Sequence, residues 1–241
     1  MKRAIVIGAT TGIGRELAIL LVREGYRVGI TGRRENLLQE LHQECPEQIV
    51  YKRMDVARHD LAQQQLKDLI QELGGMDVIY LNAAIGYDNR ALEWDRDNEI
   101  IDINVKGFVA LAVTAMHYFF EQGYGHLVGI SSISALRGYG YCPSYNASKA
   151  FISNYVEGLR HLAVLRNIPI DVTDVKPGFV DTPMIKDFEL DKVFWVASAE
   201  KAARQIYKAV QKKKYHVYIT KRWQLIAWLM KRIPEPIYLK G

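Results

Sequence analysis

Ala4-Ile5-Val6-Ile7-Gly8-Ala9-Thr10-Thr11-Gly12-Ile13-Gly14-Arg15 decides how this chain reads. Its first four residues are apolar and rich in β-branching, as in a buried strand. Gly8, Gly12 and Gly14 follow closely, where a backbone must turn in little space. Across residues 12–24, Leu17, Leu20 and Leu21 recur at helical spacing. The chain thus opens as strand, glycine turn and helix, and the alternation continues outward. Residues 27–31, 49–54, 78–81, 126–130, 170–175 and 216–220 read as strands. Residues 35–44, 60–73, 97–121, 143–165 and 200–212 read as helices, the fourth of them with Pro143 in its first turn. Such alternation predicts an α/β fold: a doubly wound sheet of about seven parallel strands with helices on both faces and right-handed crossovers. Ligands of such sheets sit at the carboxyl ends of the strands. At 241 residues, with no linker or repeat, the expectation is a single domain over 1–241 that ends in an amphipathic segment at about 221–241.

The glycine turn sits between a strand and a helix start. That context makes a dinucleotide site of Gly8, Thr10, Thr11, Gly12, Ile13, Gly14 and Arg15. Glycines let the backbone approach a pyrophosphate, and the helix start offers N–H groups and a partial positive charge. NAD sites place an acid about 20 residues further on. Here the second strand ends in Thr31-Gly32-Arg33-Arg34 instead. Arg15, Arg33 and Arg34 suit a ribose 2′-phosphate, because a guanidinium binds phosphate as a planar fork. NADP(H) is therefore the expected cofactor. Glu35 is the nearby acid that would speak for NAD, and the arginines could equally be plain surface residues at helix starts. Asp55, with Val56, ends the third strand and reads either as an acceptor for an adenine amino group or as a loop cap.

Tyr145-Asn146-Ala147-Ser148-Lys149 lies near the start of a long helix, so Tyr145 and Lys149 share a face. A phenol is a poor acid–base group at neutral pH. A neighbouring ammonium favours the phenolate and is expected to lower its pKa, which would suit reversible proton transfer. Ser132 ends the fifth strand, Asn82-Ala83-Ala84 the fourth, and Pro177-Gly178-Phe179-Val180-Asp181-Thr182 the sixth, while Asn104 lies in the preceding long helix.

With these motifs in this order, the chain resembles the short-chain dehydrogenase/reductase family from residue 4 to about 220, a Rossmann-type fold. The resemblance implies a catalytic tetrad of Asn104, Ser132, Tyr145 and Lys149. Tyr145 would be the general acid in reduction, and Ser132 would orient the carbonyl oxygen. Lys149 would hold the nicotinamide ribose and lower the tyrosine pKa, and Asn104 would hold a relay water. Val180 and Thr182 would touch the nicotinamide carboxamide. Asn82, Ala83, Ala84, Pro177 and Gly178 would border the cofactor. The resemblance also implies a homodimer or homotetramer joined through the two long helices. Two departures stand out: Ile7 precedes the first glycine, and Leu81-Asn82-Ala83-Ala84 delays its glycine to Gly86.

Ser134, Tyr139, Tyr141, Phe179, Met184 and Phe188 are the expected substrate-facing residues. They are mostly apolar, which points to a lipophilic or aromatic ketone or aldehyde, with Arg137 a candidate carboxylate anchor. Residues 183–195 read as a short lid. In the tail, Trp223 to Met230 is apolar between Lys221, Arg222, Lys231 and Arg232, and Leu225, Ile226, Leu229 and Ile233 form one stripe. It reads either as an interfacial helix on a membrane surface or as a helix packed on its own domain or a partner subunit.

Composition excludes other classes. Hydrophobic residues make up 49% and charged residues 24%, and the net charge is +5, an ordinary globular balance. The charge is too mild to call for nucleic acid, and Lys212–Lys214 reads as a solvated run. Cys45 and Cys142 have no paired spacing and the six histidines are scattered, so neither a disulfide framework nor a metal site is expected. No leader is evident, and no apolar run reaches about 18 residues. The cytoplasm is the expected compartment, with peripheral membrane contact as the tail's alternative. Two other functions remain open at this point: an epimerase on the same fold, which would normally carry a further substrate domain, and an NADPH-binding sensor or scaffold without catalysis.

Overall fold

The computed structural model describes residues 1–187 and 195–238. Seven parallel strands form one sheet: β1 (Arg3–Ile7), β2 (Arg27–Gly32), β3 (Ile49–Arg53), β4 (Val78–Leu81), β5 (Gly125–Ile130), β6 (Ile170–Pro177) and β9 (His216–Ile219). Their order is β3-β2-β1-β4-β5-β6-β9. The order reverses beside β1, which is where doubly wound sheets bind ligands. A separate two-stranded pair joins β7 (Val180–Asp181) to β8 (Ala197–Ser198).

Strand alternation sorts the core into two layers. Ile5, Ile7, Ile79, Leu81, Leu127 and Val172 face one side. They pack under α3 (His59–Leu73), α5 (Phe108–Gln122) and α6 (Pro143–Leu165). Ala4, Val6, Val28, Ile30, Tyr80, Val128 and Val175 face the other. They pack under α1 (Gly12–Arg23), α2 (Glu35–Glu44) and α7 (Ala199–Gln211). Local chemistry marks several helix ends. Pro143 starts α6, Ser198 caps α7 by accepting from Lys201 N–H at 3.2 Å, and Gly74 ends α3 at φ 78°.

The expected helix over 97–121 begins earlier and is not uniform. It runs as α4 (Trp94–Ile100), a wide π-helical stretch (Ile101–Gly107) and α5. Trp94–Gln122 is, by length and composition, apolar enough to cross a membrane, which the expectation of no such run missed. Its apolar side is committed to the core through Phe108, Leu111, Ala115 and Phe119. The tail forms α8 (Arg222–Met230), packed beside β9, and α9 (Glu235–Tyr238). Residues 239–241 of the expected amphipathic segment lie outside the described residues, as do Phe188 and the central part of the expected lid.

Candidate active site

Registered pairing sets Ile7 beside Thr31 and Leu81, and Ile130 beside Val175. The loops that follow β1, β2, β4, β5 and β6 therefore emerge side by side. Gly8 turns the chain at φ 84° while its N–H and that of Ala9 donate to the Thr31 carbonyl at 3.0 and 2.8 Å. The amide of Asn82 donates to the Gly8 carbonyl at 2.8 Å, so Asn82 ties the turn to β4. A Cβ on Gly14 would lie 2.1 Å from that same carbonyl, and one on Gly12 would lie 2.8 Å from the Thr182 methyl. Thr182 thus closes over the turn from the far side of the sheet. Ala83 lies against Gly8, and Ile13 packs against the core.

Thr11 occupies the N-cap position of α1 in extended geometry, but its side chain makes no capping bond. Its hydroxyl instead accepts from Arg34 Nη2 at 2.9 Å, as does that of Thr10 at 2.7 Å. The first N–H groups of α1 thus keep no side-chain partner, and a guanidinium stands over the turn. Arg15 pairs with Glu44 at 3.1 Å and lies 3.7 Å from Glu16. Arg33 is exposed. One oxygen of Asp55 accepts from Ala57 N–H at 3.1 Å, the loop-capping alternative. Val56 is buried, with its carbonyl close over Gly107.

The four tetrad positions converge from three elements. Lys149 is buried, and its Nζ donates to the Ile130 carbonyl at 3.1 Å and stands 5.6 Å from the Tyr145 ring centre. Burial lowers Lys149 to about 8, with Asp174 acting the other way. Burial pushes the half-buried Tyr145 phenol up to about 12, while Ser132 favours its ionisation. Desolvation of the phenolate is the largest effect on this group and favours the protonated phenol. Ser132 also accepts from Ser134 N–H at 3.1 Å, capping a short turn at Ile133–Ala135.

Asn104 sits fully buried in the π-helical stretch, the kind of local irregularity that recurs at functional sites. Its Nδ2 donates to the Ile85 carbonyl at 2.8 Å and to Ser148 Oγ at 3.1 Å, and its Oδ1 accepts from Ile85 N–H at 2.9 Å. Both amide donors are used, so the side chain clamps the β4 loop to α6 and leaves one Oδ1 lone pair for a water. Gly86 in that loop lies against Tyr145: a Cβ there would stand 2.8 Å from the ring. The displaced glycine of the sequence thus makes room for the phenol. Gly86→Val should lower kcat by roughly 100-fold through a displaced ring with cofactor affinity unchanged, as steady-state kinetics and a binding titration will check.

A second polar cluster was not anticipated. Asp174 is buried in β6 and accepts from Ser131 Oγ at 2.5 Å and Ser153 Oγ at 2.7 Å; it also pairs with buried Lys176, and His216 Nδ1 lies 3.7 Å away. Ser131 adjoins Ser132, and Ser153 lies one turn past Lys149, so the cluster underpins both. The visible signal was Asp174 and Lys176, two residues apart in a strand that also carries Asp171 and Thr173. These partners hold Asp174 well below the usual carboxylate range despite burial. A depressed carboxylate stabilises the fold above its unfolded pKa of about 4, and that stability is lost as pH falls below it. Asp174→Asn should flatten this acid limb and cost about 3–5 kcal/mol near neutral pH by stranding Lys176, measured by denaturant melts across pH.

Of the expected substrate residues, Ser134 and Met184 are partly buried, and Phe179 meets Trp223 at 5.5 Å between ring centres. Tyr139 and Tyr141 are exposed, 4.8 Å apart, with Arg90 over Tyr141 at 4.3 Å. Ser134 and Tyr139 line a cleft of about 560 Å³ that Tyr145 does not line. Pro177 ends β6; Gly178 lies under Trp223, and Val180 is buried in β7. Arg137 is no free carboxylate anchor: it donates to the Met230 and Ile233 carbonyls at 3.3 and 2.9 Å. Asn146, which the sequence reading passed over, holds this loop by donating to the Ser134 and Arg137 carbonyls at 3.2 and 2.9 Å. Among the described residues no group of three or more His, Cys, Asp or Glu could hold a metal.

Residues 2–193 match the short chain dehydrogenase family model. An uncharacterized oxidoreductase of Myxococcus xanthus is 38% identical over 188 residues, 76% of this chain and 74% of the relative. A hydroxysteroid 11-beta-dehydrogenase 1-like protein of Xenopus tropicalis is 32% identical over 199 residues, 79% of this chain and 68% of the relative. In fold, the chain is similar to a 3-ketoacyl-(acyl-carrier-protein) reductase from Brucella melitensis complexed with NADH, with a TM-score of 0.83, 19% identity, and 90% and 96% of the two chains covered. A serine dehydrogenase complexed with NADP+ gives a TM-score of 0.80 at 22% identity, covering 90% and 93%. The chain belongs to the short-chain dehydrogenase family of oxidoreductases.

Proposed function

We propose that this protein reduces a lipophilic ketone or aldehyde with NADPH, through proton donation by Tyr145. The observation that carries the reading is a phenol that burial keeps protonated, with Ser132 and Lys149 beside it, at the carboxyl ends of the strands where the glycine turn leaves its helix N–H groups uncapped. NADPH, when bound, supplies the hydride. The turn from Gly8 to Gly14 fits its pyrophosphate, because backbone rather than side chain forms the cradle. Ser132 holds the substrate oxygen and Tyr145 gives it a proton. Lys149, anchored on Ile130, supports the ribose hydroxyls and compensates the charge left on the phenolate.

Arg34 supports the preference for the phosphorylated cofactor. Its guanidinium is already oriented by Thr10 and Thr11, so little ordering is needed to receive a 2′-phosphate. The apolar and aromatic character of Phe179, Met184, Tyr139 and Tyr141 supports a lipophilic substrate. Arg34→Ala should cut kcat/KM for NADPH about 10- to 100-fold, from lost charged hydrogen bonds, and leave NADH little changed. The wild type should turn over apolar ketones in preference to small polar sugars. Equal use of NADH and NADPH would reject the cofactor reading, and turnover confined to polar sugars would reject the substrate reading.

A further inference from the structure

Helix α8 has two faces with different fates. Trp223 and Ala227 are buried, with Ile226 and Met230 partly so, against the sheet end. Leu225 (68% exposed), Trp228 (53%) and Leu229 (48%) stand outward, as does Ile237 (64%) on α9. The sequence stripe is therefore split: Ile226 turns inward, while Leu225 and Leu229 turn out. The tail is fastened to the domain by Arg137, whose guanidinium lies 4.5 Å over Tyr238, and by the Tyr238 hydroxyl, which donates to the Gly138 carbonyl at 2.6 Å. Both sequence readings of the tail are thus compatible, since a helix docked on its own domain still presents an apolar outer face.

The charge around this face has one sign. Lys221, Arg222, Lys231 and Arg232 are exposed, and Glu235 is the one acid between residues 221 and 238. Residues 201–234 contain ten Lys and Arg and no Asp or Glu, while the rest of the chain holds 22 basic against 27 acidic residues. Lys212–Lys214 lies at the opposite end of β9, where Lys213 pairs with Asp171 at 2.8 Å, and takes no part. Arg232 lies 4.3 Å over the Trp228 ring. A two-fold contact through this face would set these cations against their own copies, whereas anionic headgroups complement them. At nine residues α8 is far too short to span a bilayer. Apolar residues beside tryptophan and cations are the chemistry of an interfacial helix.

We infer that α8 and α9 seat this protein on an anionic lipid surface. The seat adjoins the site. Trp223 packs over Gly178 and against Phe179, and Arg137 links α8 to the loop after Ser132. Docking therefore brings the loop after β6 and the loop after Ser132 near the lipid interface. The inference holds whatever the substrate is.

The test is flotation of the full chain with phosphatidylcholine vesicles, with and without phosphatidylglycerol. Flotation is expected with the anionic vesicles alone. The apparent affinity should fall at least about tenfold when Lys221, Arg222, Lys231 and Arg232 are all changed to Gln, since each cation near the surface contributes several-fold. Trp228→Glu with Leu229→Glu should abolish flotation with circular dichroism and NADPH binding retained. Leu225→Glu, on the same exposed face, serves if that pair disturbs the fold. No flotation with either vesicle, or flotation unchanged in these variants, overturns the inference. A fall in sedimentation mass of the Glu variants without vesicles also overturns it and assigns the face to a second copy.

Discussion

Tyr145→Phe is expected to reduce turnover roughly 1,000-fold or more, with the dissociation constant for NADPH unchanged within about twofold. A positioned proton donor accounts for about 10²–10⁴ in rate, and phenylalanine keeps the ring against Gly86 while removing the proton. The direction of the pKa shift sharpens this expectation. Burial holds the phenol near 12, so it enters reduction protonated across the neutral range. Alcohol oxidation requires the phenolate and is expected to accelerate as pH rises, whereas reduction is not. Lys149 is lowered to about 8 by burial, so raising pH past 8 also removes the cation that compensates the phenolate. Stopped-flow rates in both directions across pH check these slopes. Retained activity in Tyr145→Phe would mean that another group supplies the proton.

Gly14→Ala is expected to weaken NADPH binding by at least about 100-fold, close to 3 kcal/mol. The added Cβ would stand 2.1 Å from the Gly8 carbonyl and 2.7 Å from the Asn82 amide. Both belong to backbone or backbone-anchored groups, so neither yields without moving the turn. The whole α1 start must shift, and its N–H groups move with it. Overpacking also costs about 1–3 kcal/mol of stability, which denaturant melts will separate from binding. A variant that folds and binds NADPH as the wild type does would show that the turn is not the pyrophosphate cradle.

Strand–helix alternation was legible because parallel strands buried on both faces are unbroken apolar runs, and Ile5 and Ile7 opposite Ala4 and Val6 show the two-sided burial directly. The order of the tetrad was legible because Tyr145 and Lys149 share a helix face, and Ser132 ends a strand. Other features depended on distant partners that no local pattern encodes. Arg15 reads as a phosphate ligand, and its pairing with Glu44 of α2 at 3.1 Å has no local signal. Arg137 reads as a substrate anchor until the tail folds back on it. Asn104 reads as a water holder, and its further ties to Ile85 and Ser148, 19 and 44 residues away in sequence, have no local signal. The upward push on the Tyr145 phenol was not legible because the sequence shows the nearby ammonium but not the depth of burial. The π-helical stretch around Asn104 has a helical pattern like any other, so its wider turn was invisible.

The most direct test of the proposed chemistry uses NADPH deuterated at the hydride position of the nicotinamide and a panel of apolar ketones and aldehydes. The account predicts one deuterium on the carbinol carbon of the alcohol product, formed by the wild type and not by Tyr145→Phe. Absence of deuterium transfer to every carbonyl tested, by a protein that binds NADPH, would contradict it.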